Sequence, residues 1–163
     1  MKIMIFLEGT VTMHKSGVGH TREEIVEMAR NKVVAPHYFA DFVPIGDAVK
    51  KLISWQNQGA EILYLTSRRK SDQIEEIKQG LKKFNFPNGQ FLFRKENEEY
   101  KDVAERIIPD ILVEDDCESI TGIDEMTITH VRPAIKKMIK SIPVKEFDGI
   151  DHLPDKISAL LNY

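Results

Sequence analysis

Lys2-Ile3-Met4-Ile5-Phe6-Leu7-Glu8-Gly9-Thr10-Val11-Thr12 is the stretch on which the reading of this chain turns. Ile3 to Leu7 is an uninterrupted apolar run, the pattern of a strand buried on both faces in a parallel sheet. It ends in a carboxylate, Glu8, followed by Gly9, which permits a sharp turn, and Thr10, which supplies a hydroxyl just beyond it. In open α/β sheets the chemistry sits at the carboxyl ends of the central strands. A second run of the same kind, Ile111-Leu112-Val113, ends in Glu114-Asp115-Asp116. Two strands that deliver acids to one sheet edge would build a cation site.

Working outward, Thr21 and Glu24 have capping-box spacing, and Ile25, Met28 and Ala29 continue with helical spacing to about Lys32. Between Gly9 and this helix, Met13 to Gly19 reads as a loop, and residues 33–43 read as irregular. A helix is predicted from about Gly46 to Gln58, then a strand over Glu61–Leu65 ending in Thr66-Ser67-Arg68-Arg69. Ser71 opens a third helix, Phe91 to Phe93 forms a short strand, and Val103, Ala104, Ile107 and Ile108 mark a helix stopped by Pro109. Beyond Asp116 the prediction is a short helix near Ser119, a strand at Met126–Ile128 and a helical stretch from Ala134 to Lys140. A last strand is expected at Ile142–Phe147 and a last helix at Pro154–Leu161. Strands alternating with helices at this spacing predict one α/β domain over 1–163, a parallel sheet covered on both faces.

Composition narrows the function classes. The 163 residues fit one domain, and a net charge of −3 argues against a nucleic-acid partner or an anionic membrane surface. No apolar run approaches the roughly 20 residues of a membrane span. Met1 leads straight into the first strand, so no signal peptide is expected, and a single cysteine, Cys117, fits a reducing compartment. A cytoplasmic location follows as the expectation.

Three strand ends now stand in one order: Phe6-Leu7-Glu8-Gly9-Thr10-Val11, Leu63-Tyr64-Leu65-Thr66-Ser67-Arg68 and Leu112-Val113-Glu114-Asp115-Asp116. This arrangement resembles the haloacid dehalogenase (HAD) superfamily of phosphatases and phosphotransferases, over roughly Lys2 to Asp116. The resemblance implies a HAD-like Rossmannoid three-layer sandwich with at most a minimal cap, for which 12–44 is the candidate segment. It matches Thr66 to the family's second motif and Asp115 and Asp116 to its fourth. Lys101 matches the third, with Lys95 as the fallback. It also implies Mg²⁺ held by Glu8, Asp115 and Asp116, catalytic roles for Glu8, Thr66 and Lys101, and a small phosphorylated molecule bound by Thr66, Ser67 and Arg68.

The departure lies at the nucleophile. Gly9-Thr10 fixes the register, which sets Glu8 at the family's second acid and Phe6 at the aspartate that attacks phosphorus. Phe6 cannot attack. The slowest phosphate-ester reactions need accelerations of up to ~10²¹-fold, whereas a serine protease stripped of its triad keeps only ~10³–10⁴-fold. The resemblance therefore implies a phosphohydrolase-related protein impaired in aspartyl-phosphate chemistry. Two alternatives stand beside it. One is an atypical Mg²⁺-dependent phosphatase in which metal-bound water attacks and Glu8 is the base. The other is an interaction module using Tyr38, Phe39 and Phe42 as an aromatic patch.

The remaining candidates read as structural. Cys117 follows two carboxylates, which raise a thiol's pKa, so it is expected to be inert. Trp55 reads as core, Arg69 as a surface residue, and His14 and His37 as surface histidines in segments that border the site mouth.

Overall fold

A computed structural model describes residues 1–32 and 39–163 of the chain. The alternating pattern folds as expected, into five parallel strands: β1 (Lys2–Phe6), β4 (Glu61–Leu65), β5 (Gln90–Leu92), β6 (Ile111–Asp115) and β7 (Lys140–Val144). Their spatial order is β5-β4-β1-β6-β7, a Rossmann-like sheet. The register pairs Ile3 with Ile62 on one side of β1 and with Ile111 on the other. From β1 the chain builds outward through β4 to β5, then returns to lay β6 and β7 on the opposite side. The sheet's winding direction thus reverses between β1 and β6, and at such a switch point a crevice opens at the carboxyl ends of the strands. Glu8 and Asp115 stand at those two ends.

The period-two alternation of each strand divides the core between the two faces of the sheet. Ile3, Ile5 and Leu7 of the first strand join Ile62 and Tyr64, Ile111 and Val113 on one face. Met4, Leu63, Leu65 and Leu112 join the other. Helix α2 (Ala48–Asn57) and helix α3 (Ser71–Lys83) cover the first face with Leu52, Trp55, Ile77 and Leu81. Helix α4 (Tyr100–Ile107) and the four-residue α5 (Thr127–His130) cover the second with Val103, Ala104 and Ile128. Two further four-residue helices, α6 (Pro133–Lys136) and α7 (Ile157–Leu160), complete the layers. Trp55 is fully buried, as expected, and its indole N–H donates to the Pro154 carbonyl at 3.0 Å. No helix among the described residues is long and apolar enough to cross a membrane.

The described residues of 12–44 lie outside the five-stranded sheet. Short strands β2 (Thr12–His14) and β3 (Phe42–Pro44) pair antiparallel, and helix α1 (Arg22–Arg30) lies between them in sequence. The segment predicted as a loop at Met13–Gly19 thus begins as a strand, because β3 returns to pair with it. The capping box is present in full: the Thr21 hydroxyl accepts from the Glu24 N–H at 3.3 Å, and the Glu24 carboxylate accepts from the Thr21 N–H at 2.9 Å. Thr21→Ala should cost about 1 kcal/mol, lowering the thermal midpoint by roughly 2–4 °C. Faster amide exchange confined to the first turn of α1 would confirm its origin.

Two further elements differ from the sequence-based prediction. Met126–Ile128 is not a strand: the Glu114 carboxylate accepts the N–H groups of Thr127 and Ile128, and that cap starts α5 instead. No helix forms at Ser119, whose N–H and hydroxyl are both taken by Glu146, pinning the segment as a turn. His37 and Tyr38 lie outside the described residues, while Phe42 of the proposed aromatic patch lies in β3 and is half-buried.

Candidate functional site

The site begins with the turn that ends β1. Gly9 has φ +84°, and a Cβ there would stand 2.9 Å from the Asp115 Oδ2. A side chain would therefore be strained and would push the two strand ends apart. Thr10, fully buried, stitches those ends together: its hydroxyl donates to Asp115 Oδ2 at 2.9 Å and accepts the Asp115 N–H at 3.1 Å. Asp115 Oδ1 accepts the Cys117 N–H at 3.0 Å. Burial, reinforced by the Glu146 charge, pushes the Asp115 pKa up to about 6 despite these hydrogen bonds. Burial and the adjacent acids raise the Cys117 thiol as well, in keeping with an inert cysteine.

Glu8 is engaged on its other side. Its Oε1 accepts the Thr66 hydroxyl at 2.5 Å and its Oε2 accepts the Ser67 N–H at 3.1 Å, while the Thr66 oxygen accepts the Arg68 N–H at 3.2 Å. The anion cradle expected after β4 is present, and the anion in it is the protein's own Glu8. A glutamate reaches one methylene further than an aspartate would from this position, far enough to bridge from β1 to the end of β4. The Thr66 hydroxyl and the Ser67 amide expected to bind phosphate are thereby occupied.

The metal-ligand set expected at Glu8, Asp115 and Asp116 is not assembled. Both Glu8 oxygens accept from the β4 turn and both Asp115 oxygens accept from Thr10 and Cys117. The Asp116 Oδ1 accepts the Glu146 N–H at 3.1 Å. Among the described residues no three Asp, Glu, His or Cys side chains converge as a metal-binding group. Mg²⁺ is typically held by one or two carboxylates with several waters, and here each of the three acids is oriented by a different donor.

Lys101 is not brought to Glu8 and Asp115 either. It lies in the first turn of α4, and its amine pairs with Glu99 Oε2 at 2.7 Å, the surface ion pair typical of such a position. Lys95, the fallback, is exposed, and Arg69 is an exposed residue that donates to the Glu98 carbonyl at 3.2 Å.

Phe6 ends β1 on the same face as Met4, and its ring meets Tyr100 edge-on, with centroids 5.0 Å apart. The Arg94 guanidinium stacks on the Tyr100 ring at 4.0 Å. These aromatics open onto a cavity of about 550 Å³, within the size range of small-molecule sites. Glu8, Asp115, His14 and Phe42 line it, and α1 contributes Ile25 and Met28. The helix is held across by Arg22, which donates to Glu118 Oε2 at 2.7 Å and to the Glu146 carbonyl at 3.3 Å.

Three residues of the site were not singled out in the sequence. Glu146, nearly buried, faces the cavity with both oxygens bound to Ser119, and burial raises its pKa. Its signal was the one used for Glu8 and Asp115, an acid just past an apolar strand, here Ile142–Val144. Tyr100 and Phe147 carry no such signal. The Phe147 N–H reaches the Gly9 carbonyl at 2.7 Å, a contact between residues remote in sequence.

No family model and no curated protein matches the chain. Solved structures do. The chain is similar to one in the structure of the Pnkp1/Rnl/Hen1 RNA repair complex, at 14% identity with a TM-score of 0.55. The match covers 89% of this chain and 42% of that one. What the two share is a fold. The chain spans less than half the length of that neighbour. A looser superposition, TM-score 0.46 at 8% identity, relates it to D,D-heptose 1,7-bisphosphate phosphatase from Burkholderia thailandensis, over 90% of this chain and 93% of that one.

Proposed function

We propose that this is a HAD-like domain that binds a small molecule at the phosphatase position of the fold without carrying out aspartyl-phosphate transfer. Phe6 carries the reading. It stands two residues before Glu8 at the end of the central strand, where the family keeps its nucleophile, and its ring is packed against Tyr100. Nothing on Phe6 can form an acyl phosphate.

The neighbouring groups support it. Glu8 fills the cradle that a phosphoryl group would need, and Lys101 is paired with Glu99. A phosphate entering from solvent would have to displace Glu8 and then face Asp115 and Glu146. The cavity itself remains, walled by α1 and by aromatic side chains, and the 12–44 insertion acts as its small cap.

The test is release of inorganic phosphate from a panel of phosphate monoesters in the presence of Mg²⁺, with wild type beside Asp115→Asn. Neither protein should exceed the protein-free background. Turnover by wild type that disappears in Asp115→Asn would overturn the proposal in favour of an atypical phosphatase.

A further inference from the structure

The cavity that this reading leaves as a binding site has an unusual lining for a domain of phosphatase type. Aromatic side chains reach it from separate parts of the chain: Phe6 after β1, Phe42 in β3, Tyr100 in α4 and Phe147 after β7. Carboxylates reach it from Glu8, Asp115 and Glu146, the last two 6% and 7% exposed. Among the described residues the basic side chains on the lining are Lys32 and His14, and Arg94 stacks on Tyr100. Lys32 is exposed, and His14 is turned toward Ser16 and Asp41, its Nδ1 lying 2.9 Å from the Ser16 hydroxyl. Thr127, 2% exposed, lines the same cavity.

From this lining we infer that the cavity recognises an organic cation, an ammonium group carried on an apolar body. Aromatic faces attract a cation through the ring quadrupole, most strongly when water is excluded. Buried carboxylates supply the countercharge and accept N–H hydrogen bonds. The apolar body lies against Ile25, Met28 and the aromatic rings. An anion of the same shape would meet Asp115 and Glu146 as like charges, and like-charge contact rejects a ligand.

The inference rests on the proposed binding role, and three probes with one body separate the two. These are 4-phenylbutylamine, 4-phenylbutanol and 4-phenylbutyrate, titrated calorimetrically into the full chain near neutral pH. The amine should bind at least about tenfold more tightly than the alcohol, and the butyrate most weakly. Glu146→Gln should bring the amine to within about threefold of the alcohol. The wild-type ranking stands as a test even if that variant folds poorly. An alcohol bound as tightly as the amine would overturn the cation inference and leave the binding role standing. The butyrate bound tightest, or no saturable binding by any probe, would also overturn the inference. Phosphate release by wild type would instead strike at the binding role, independently of this ranking.

Discussion

Glu114→Ala should lower the midpoint of thermal unfolding by about 6–12 °C, the equivalent of roughly 3 kcal/mol in a domain of this size. Glu114 is 3% exposed, and its carboxylate accepts the Thr127 N–H at 2.8 Å and the Ile128 N–H at 3.0 Å. These are unsatisfied donors at the first turn of α5, and that helix is too short to stand without a cap. Truncation leaves two buried N–H groups without an acceptor, each costing about 1–3 kcal/mol. The loss is partly offset because a carboxylate whose pKa burial has raised is no longer held in the interior. Glu114→Gln keeps one acceptor and should lose about 1 kcal/mol. Calorimetric melts of the two variants check this. A shift below about 2 °C for the alanine variant would mean that α5 is held by Ile128 packing alone.

That cap shows what a sequence can and cannot disclose about this fold. The β1 and β6 runs were legible because each is buried on both faces, so burial alone makes them continuous apolar stretches. The α1 capping box was legible because both partners lie within four residues. Glu114 gave no such signal. Its partners lie thirteen and fourteen residues onward, and a tertiary hydrogen bond overrides the strand-like composition of Met126–Ile128.

The site divides along the same line. That Glu8, Thr66 and Asp115 would meet at one sheet edge followed from strand order, and they do. What they would do there did not follow, because it depends on reach. Glu8 extends to Thr66 and Ser67, while Asp115 turns to Thr10 and Cys117, so the acids are drawn apart by local donors instead of converging on an ion. Lys101 fails for a similar reason, since Glu99 lies within one turn of it and captures its amine. Tyr100 enters the site from α4 and the adjacent Glu146 and Phe147 from just past β7, and only the assembled sheet brings these remote segments near Glu8 and Gly9.

Asp115→Asn should change sign with pH, destabilising the chain in acid and stabilising it in base. Burial and the Glu146 charge raise the Asp115 pKa from 3.8 to about 6. Between those values the folded chain holds a proton that the unfolded chain has released, so stability falls as pH rises through the window. Once both states are ionised, the buried charge costs roughly 3 kcal/mol. Asparagine is spared that cost but cannot accept from the Thr10 hydroxyl and the Cys117 N–H at once, a loss of about 1 kcal/mol. The variant should therefore be about 1 kcal/mol less stable below about pH 3, about 0.5 kcal/mol less stable near pH 4 and about 2 kcal/mol more stable at pH 8, crossing wild type near pH 4.5. At pH 8 this is a rise of roughly 4–8 °C in the thermal midpoint. Burial raises Glu114 and Glu146 as well, and because the Glu146 charge acts on Asp115 the difference between the two stability curves reports Asp115 together with its coupling to Glu146. Repeating the comparison in a Glu146→Gln background should shrink the difference, because the Glu146 charge is one source of the shift. Parallel stability curves for wild type and Asp115→Asn from pH 4 to 8 would show that Asp115 ionises at an ordinary value. The acid end of the cavity would then be hydrated instead of sealed between β1 and β6, which would also weaken the electrostatic basis for selecting a cation there.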